Sequence, residues 1–196
     1  MFYELKAKSH VRVPPHLLDK NIDEAILTQL NSDFEGYISQ ETGFVINVTK
    51  ILNIGEGLII PGDGAAYYET EFNMLTYLPE LQEVVLGQIT DITNYGAFIN
   101  IGPVDGLIHL SQTMDDFVSF AKTKVLSGKE SKKILKVNDK CRGRIIAVSY
   151  KDISNPKIAL TMRQPMMGNL QWLEEAKKVI KKKKWNEKLV GNVEYL

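Results

Sequence analysis

The sequence predicts an α+β N-terminal domain, followed by an all-β barrel with a C-terminal helix. Up to residue 80, strand patterns alternate with one helical stripe, and the stretch from Val84 to Met162 carries five short strand patterns. After Asn169 the apolar residues recur at helical spacing. Because 196 residues can bury two small cores, we expect an N-terminal domain over residues 1–80, a barrel domain over 81–168 and a helical extension over 169–196.

The N-terminal domain is expected to begin with a strand over Phe2–Val13. Pro14 and Pro15 end that strand and suit a helix start, and apolar residues of helical period follow from His16 to Leu30. The remaining predicted elements are strands over Tyr37–Ile54, Leu58–Ile60 and Tyr67–Tyr77, with a loop at Gly55–Gly57 and a turn at Pro61–Gly64. This order of elements predicts a small α+β domain.

The barrel domain is predicted from the number and spacing of its strands. The expected strands are Val84–Ile92, Gly96–Ile101, Gly106–His109, Cys141–Ser149 and Pro156–Met162. Five strands with a long connection between the third and the fourth match a small Greek-key barrel of the OB-fold type. We expect this connection to hold a short helix over Asp115–Ala121 and a hairpin around Ser127–Lys129. A helix is then expected over Asn169–Trp185.

Composition and charge bound the function. Hydrophobic residues make up 44% and charged residues 24% of the chain, and no run of about 18 apolar residues occurs, so we expect no membrane partner. With Cys141 as its single cysteine, the sequence has neither a disulfide framework nor a cysteine metal cluster. A reducing compartment fits best, and we expect a cytoplasmic protein, or a nuclear one in a eukaryote.

The two halves of the chain carry opposite charge. Residues 1–80 hold 5 Lys and Arg against 12 Asp and Glu, whereas residues 81–196 hold 19 against 12. A basic half suits phosphate backbones, and an acidic half suits a protein surface. The alternative, that charge simply drifts along the chain, remains open.

The sequence contains no recognisable catalytic motif. His10, His16 and His109 lack the H-E-x-x-H spacing of zinc hydrolases, and Ser111 lacks the G-x-S-x-G context of a nucleophile. Gly128-Lys129 is followed by Glu130 and lacks the other residues of a phosphate-binding loop. We therefore expect no catalytic residue, no metal and no cofactor.

Aromatic and basic residues instead indicate nucleic-acid binding. Tyr95 and Phe98 bracket Gly96, and His109 ends the next strand. Such aromatic faces stack on the bases of single strands, while basic groups follow the phosphates. The candidate basic residues are Lys140, Arg142, Arg144 and Lys157. Two alternatives remain open: Phe98 could pack in the barrel core, and His109 could only form a hydrogen bond within the barrel.

The segment from Gly87 to Gln112 resembles the S1 class of OB-fold RNA-binding domains. It carries G-x-I-x-x-I-x-x-Y-G-A-F-I followed by G-L-I-H-x-S, and I-A-L-T-M-R closes the domain at Ile158–Arg163. The resemblance implies that RNA lies across Tyr95, Phe98 and His109. In the class, an acidic and basic pair sits in the last two strands; here Lys157 stands where arginine is common, and no acidic residue is clearly in register.

Over nearly the whole chain, the sequence resembles the RNA polymerase stalk subunit, which is known as E-prime in archaea and as the seventh-largest subunit of polymerase II in eukaryotes. The motifs are the MFY start, PPHLL, Gly43–Val45, the glycine-rich segment 55–64 and Y-x-x-x-F at 68–72. The resemblance implies three partners: the polymerase core, a small helical subunit of the archaeal F type, and nascent single-stranded RNA. The residues it implies in core docking at the clamp base are Gly55, Glu56, Gly57, Pro61, Gly62, Asp63 and Gly64.

Two other classes of RNA-binding protein share some of these features. Exosome cap subunits also join a P-G-D-bearing N-terminal region to an S1 barrel, but they continue into a KH domain or a zinc ribbon, for which the residues after 168 are too few. A translation initiation factor subunit would place the barrel near its N-terminus, whereas here the barrel begins after residue 80. The exosome cap subunit remains the alternative.

Overall fold

The computed structural model describes residues 1–121, 123–152 and 155–178, and the chain forms two compact units. The first unit comprises Met1–Glu80 and Tyr150–Asn155, and the second comprises Leu81–Ser149 and the chain from Pro156 onward. Within the described ranges, no helix is both long and apolar enough to cross a membrane.

The first unit is an antiparallel sheet covered by one helix. Its elements are β1 (Phe2–Val13), a 3₁₀ turn (Pro15–Leu17), α1 (Ile22–Phe34), β2 (Ile38–Ser39), β3 (Gly43–Ile59) and β4 (Ala66–Tyr77), with the sheet order β1-β4-β3-β2. β1 pairs with β4 along its whole length, from Phe2 opposite Tyr77 to Val13 opposite Ala66. The helix buries Ile26 and Leu30 against Val11 and Phe72 of the sheet, which confirms the predicted α+β class.

The helix begins later than the sequence predicted. The 3₁₀ turn at Pro15–Leu17 takes the place of its first turn, and Leu18 and Ile22 are 44% and 46% exposed. Asp23 and Glu24 lie in the first turn of α1, where carboxylates interact favourably with the positive end of the helix dipole. The prolines therefore begin a tight turn, and the acidic pair marks the true helix start.

The predicted loop at Gly55–Gly57 is wrong. These residues belong to β3, which runs unbroken from Gly43 to Ile59. The pairing of β3 with β4 shifts register at four places, one of them between Ile54 and Gly57. Bulges of this kind absorb extra residues and bend a strand without ending it. Gly55–Gly57 therefore mark a bulge within β3 and not a loop. The turn itself lies beyond Ile59.

The second unit is a closed barrel with an insert. Its strands are β5 (Val84–Ile92), β6 (Gly96–Asn100), β7 (Asp105–His109), β8 (Val118–Ala121), β9 (Val125–Gly128), β10 (Ile134–Lys136), β11 (Lys140–Ser149), β12 (Lys157–Thr161) and β13 (Gly168–Asn169). The barrel sheet has the order β12-β7-β6-β5-β11-β13, and an additional pairing of β11 with β12 closes it. Ile89, Ile99, Ile108, Ile145 and Leu160 are completely buried. The predicted OB-type barrel is confirmed.

The insert between β7 and β11 is a three-stranded sheet of order β10-β9-β8. The predicted hairpin is present as β9 and β10, but the predicted helix over Asp115–Ala121 is wrong, because β8 occupies Val118–Ala121. Asp116 explains the error. Its carboxylate accepts hydrogen bonds from the backbone N–H groups of Phe117, Glu130 and Ser131 at 2.6, 3.0 and 2.8 Å, so it holds a sheet loop together and caps no helix.

Residues 170–178 are helical. The side chain of Asn169 caps this helix by accepting a hydrogen bond from the backbone N–H of Gln171 at 2.9 Å. The Lys133 ammonium lies 5.6 Å from the ring centre of Trp172, which connects the helix to the insert. The predicted C-terminal helix is thus confirmed over these residues, and the part of the prediction over 179–185, with Lys181–Lys184, lies outside the described residues.

Candidate nucleic-acid interface

The aromatic residues singled out from the sequence meet on one face of the barrel. β6 and β7 pair with Gly96 opposite His109 and Phe98 opposite Leu107. Tyr95 is 49% exposed, Phe98 is half-buried and His109 is exposed. The rings of Tyr95 and Phe98 form an edge-to-face pair with their centres 6.0 Å apart. The barrel therefore presents three ring side chains side by side, and we call them the aromatic face.

Gly96 allows the aromatic face to form. A Cβ atom at this position would lie 2.2 Å from the carbonyl oxygen of Ile108, which is too close for any other residue. The carbonyl of Gly96 accepts a hydrogen bond from the backbone N–H of Thr93 at 2.8 Å, and that of Tyr95 accepts one from Leu110 at 2.9 Å. The backbone between the two aromatic residues is therefore fixed on both sides.

His109 combines a local hydrogen bond with an outward position. Its Nδ1 atom lies 2.9 Å from the Ser111 hydroxyl and accepts a hydrogen bond from the Ser111 backbone N–H at 3.3 Å. The neutral ring therefore carries its proton on Nε2. Nδ1 accepts the hydrogen bond that caps the turn after β7. Nε2 is the atom with which the exposed ring can donate a hydrogen bond to a ligand.

An ion pair with no signature in the sequence borders the aromatic face. Asp91 lies opposite Phe98 in the pairing of β5 with β6, and it binds Lys124 of the insert at 2.7 Å. The hydrogen bond from Lys124 holds the pKa of Asp91 below its ordinary value, and the backbone N–H of Ile92 adds to the effect. No spacing motif connects residues 33 positions apart, so this contact required the tertiary structure.

The basic residues do not all lie beside the aromatic face. Lys140, Arg142 and Arg144 alternate on one face of β11, opposite residues of β5. Because β5 separates β11 from β6, the stripe lies two strand spacings, or roughly 10 Å, from the strand of Phe98. Lys157 is the first residue of β12, which runs parallel to β7 with Ile158 opposite Gly106. Gly106 lies near the start of β7 and His109 at its end, so Lys157 lies near the end of β7 that is remote from His109. The Nε atom of Arg144 is buried and has no hydrogen-bond partner among the described atoms.

The proposed docking residues occupy the tip of the β3–β4 hairpin. Gly55, Glu56 and Gly57 lie in β3, whereas Pro61–Gly64 form the turn. Gly62 and Gly64 have φ angles of 96° and 68°, which favour glycine. The Asp63 carboxylate is bound within the chain: Arg12 donates to its two oxygens at 3.1 and 2.6 Å, and the Tyr67 hydroxyl donates to it as well.

These hydrogen bonds lower the pKa of Asp63 to about 2; the bond from Arg12 has the larger effect and the bond from Tyr67 the next.

The hairpin tip also exposes an apolar run that the sequence predicted only as a strand. Leu58, Ile59 and Ile60 are 65%, 75% and 51% exposed. Three neighbouring aliphatic side chains in solvent are unusual unless a partner covers them. In the sequence, the position of this run immediately before the P-G-D-G turn is the one feature that could have predicted its exposure. We call Leu58–Ile60 the apolar tip.

The fold and the site define a barrel of the OB type with an exposed aromatic face, an architecture on which many proteins bind single-stranded nucleic acid. The S1 RNA binding domain family matches residues 78–150. The family described as the SHS2 domain found in the N terminus of Rpb7p/Rpc25p/MJ0397 matches residues 8–64.

Relatives match much of the chain. It is 41% identical over 180 residues to the DNA-directed RNA polymerase subunit Rpo7 of Saccharolobus shibatae, covering 91% of this chain and 100% of that protein. It is 39% identical over 176 residues to the Rpo7 subunit of Sulfolobus acidocaldarius, covering 89% and 96%. With the polymerase III subunit RPC8 of Saccharomyces cerevisiae it shares 32% identity over 114 residues, covering 58% and 54%.

The chain therefore belongs to the Rpo7 family of DNA-directed RNA polymerase subunits. This finding confirms the resemblance to the archaeal polymerase stalk subunit, and with it the expectation of a non-catalytic subunit. The exosome alternative loses its support, because the relatives that match most of the chain carry the name of a polymerase subunit.

Proposed function

We propose that this chain is an RNA-binding stalk subunit whose barrel holds nascent single-stranded RNA and whose N-terminal unit docks on the polymerase core at the clamp base. In this role it pairs with a small helical subunit of the archaeal F type and supports transcription initiation. The observation that carries the proposal is the meeting of Tyr95, Phe98 and His109 on one exposed face of an S1-type barrel. The proposal includes a cytoplasmic location, or a nuclear one in a eukaryote, where a DNA-directed RNA polymerase meets its template.

RNA binding is supported by the chemistry of the aromatic face. Tyr95 offers a half-exposed ring, and Phe98 supports that ring from the side. Bases stack on such rings whatever their sequence, with about 1–3 kcal/mol per base. The Nε2 atom of His109 adds a hydrogen-bond donor to the same face. These features suit a transcript of changing sequence.

Core docking is supported by the apolar tip. Leu58–Ile60 stand in solvent next to a turn that Arg12 and Tyr67 hold through Asp63. A rigid apolar projection loses little conformational entropy when it enters a cleft, and it gains the burial of its aliphatic area. The apolar tip thus suits insertion into a preformed apolar site on the polymerase core.

The RNA role is tested by removing the aromatic side chains. Tyr95→Ala and Phe98→Ala are each expected to weaken binding of a labelled single-stranded RNA by roughly 5- to 150-fold, the equivalent of one lost stack. Fluorescence anisotropy measures the affinity, and circular dichroism verifies the fold. Tyr37→Ala is the matched control, since Tyr37 is 54% exposed and lies in the first unit. Unchanged affinity in both folded variants would contradict the RNA role of this face.

Core docking is tested at the apolar tip. Ile59→Asp is expected to reduce recovery of the polymerase core in a pull-down by about tenfold or more, because a carboxylate pays a large desolvation cost in an apolar site. RNA affinity of the same variant should stay at the parent value. Leu52→Asp serves as the control, because Leu52 is also exposed on β3 but lies outside the tip. Normal core recovery with Ile59→Asp would rule out docking through the tip.

A further inference from the structure

We propose that the insert between β7 and β11 forms a second wall of the RNA site, with Phe117 as an additional surface on which a base stacks. The proposal rests on the RNA-binding function proposed above and deepens it. A cleft of about 530 Å³ opens beside His109, at one end of the aromatic face. Barrel residues His109, Ser111 and Arg163 line it on one side, and insert residues Phe117, Val118 and Glu130 line it on the other.

The insert is held against the barrel at several points. The Lys124–Asp91 ion pair of 2.7 Å ties its β8–β9 turn to the strand beside Phe98. At the start of the insert, Asp115 forms an ion pair of 2.8 Å with Arg163, which follows β12. Three residues earlier in the chain, the Gln112 side chain accepts a hydrogen bond from the Thr161 hydroxyl at 2.7 Å. The insert therefore borders the aromatic face at Phe98 and the cleft at His109, so one strand of RNA can meet both.

Phe117 combines an exposed ring with a backbone that is held at both its N–H and its carbonyl. Its side chain is 76% exposed, more than any other large apolar side chain in the described part of the chain. Its N–H donates to Asp116 at 2.6 Å, and its carbonyl accepts from the Lys129 N–H at 3.0 Å. With the backbone held on both sides, the Cα–Cβ bond of Phe117 has a fixed place at the cleft, and the ring extends from it into solvent. An exposed aromatic ring at the mouth of a cleft is suited to a flat ligand such as a nucleobase.

The charges of the cleft select a base over a phosphate. Asp115, Asp116 and Glu130 line it, against the guanidinium of Arg163. Asp116 is engaged by backbone N–H groups and Asp115 by Arg163, while the Glu130 carboxylate remains exposed. A net acidic cleft repels phosphate, whereas carboxylates accept hydrogen bonds from the N–H groups on base edges. The cleft therefore takes the base, and the sugar–phosphate chain stays outside.

The test uses the full chain, a single-stranded RNA of about 12 nucleotides, within the site size of an OB barrel, and three variants at one position. Phe117→Ala and Phe117→Leu are expected to weaken binding by about fivefold or more, the lower end of one lost stack. Phe117→Trp should bind as tightly as the parent or more tightly, because it keeps a ring face. Leucine keeps apolar bulk without a flat face, so the leucine and tryptophan variants together separate stacking from general burial.

The outcomes also separate this inference from the proposed function. Weakening by Phe117→Leu together with retention by Phe117→Trp supports the second wall. Parent affinity in Phe117→Ala and Phe117→Leu, with Tyr95→Ala impaired, overturns the second wall and leaves the aromatic face in place. A parent chain that binds no single-stranded RNA overturns both.

Discussion

At the scale of single residues, the sequence predicts the residues of a motif but not the distant side chains that bind them. The spacing of Tyr95, Phe98 and His109 indicated a common face, and the strand register brings them together. Asp63 was expected to serve docking, yet it binds Arg12, 51 positions away. Whether it also meets the polymerase stays a prediction. A local pattern can identify an exposed aromatic triplet, but no local pattern shows which distant cation neutralises a carboxylate.

The Asp63 cluster predicts a pH dependence. The pKa of Asp63 in the folded chain is lowered to about 2 from an ordinary value of 3.8. Its ionised form therefore stabilises the fold above pH 3.8, and this contribution is lost as the pH falls towards 2. We expect the melting temperature of the parent chain to fall more steeply between about pH 4 and pH 2 than that of Asp63→Asn. Thermal melts followed by circular dichroism measure this difference.

The matched control for the Asp63 prediction is Glu41→Gln, which neutralises an exposed carboxylate elsewhere in the same unit. Its profile should parallel that of the parent. If Asp63→Asn also parallels the parent over this range, the Arg12–Asp63–Tyr67 cluster does not stabilise the fold.

At the scale of elements, the prediction succeeded where one pattern continued along a segment and failed where the pattern was short or interrupted by glycine. β1 and β5 match their predicted ranges, since long alternating runs define a strand well. The segment Asp115–Ala121 was predicted as a helix but contains β8, because a few apolar residues fit either period. The glycines of β3 were read as a break, although bulges carry the pairing through them.

Asp116 is expected to hold the insert in its conformation. Three backbone N–H groups and the Ser131 hydroxyl donate to its carboxylate, and these bonds keep the pKa of Asp116 below its ordinary value, with the Ser131 N–H contributing most. Asp116→Asn replaces one acceptor oxygen by an N–H₂ donor, so we expect faster exchange of the Glu130 and Ser131 amides. Hydrogen exchange followed by NMR measures the rates.

The exchange effect of Asp116→Asn should be confined to the insert. Amides of the barrel core, such as those of Ile99 and Ile108, should keep their protection, because their pairing does not involve Asp116. Unchanged rates at Glu130 and Ser131 would show that the backbone pairing of the insert suffices without the carboxylate.

At the scale of the whole molecule, the opposite charges of the two halves agree with the proposed roles of the first unit in docking and of the second in RNA binding. The basic stripe Lys140, Arg142 and Arg144 lies on the far side of β5 from the aromatic face. An RNA strand that also contacts the stripe must therefore cross β5. Such a path would add phosphate contacts to base stacking and make the affinity depend on salt.

The crossing path predicts a change in salt dependence. Arg142→Ala is expected to weaken RNA binding at low salt and to make the plot of log affinity against log salt less steep by about 0.7, the value for one phosphate contact on a single strand. Anisotropy titrations between about 50 and 200 mM salt measure the slope. Lys20→Ala is the control, since Lys20 lies exposed in the acidic unit. An unchanged slope for Arg142→Ala would place the stripe outside the RNA path.

The sequence by itself determined the two fold classes, the barrel strands and the aromatic motif, because alternation, turn residues and motif spacing are local properties of the chain. It also determined the family resemblance, which the relatives confirmed. The tertiary structure decided that Lys124 binds Asp91 and that Arg12 binds Asp63. These two ion pairs join residues far apart in the chain, and their geometry arises only when the strands pair. The structure also decided that Phe117 of the insert lines the same cleft as His109 of the barrel.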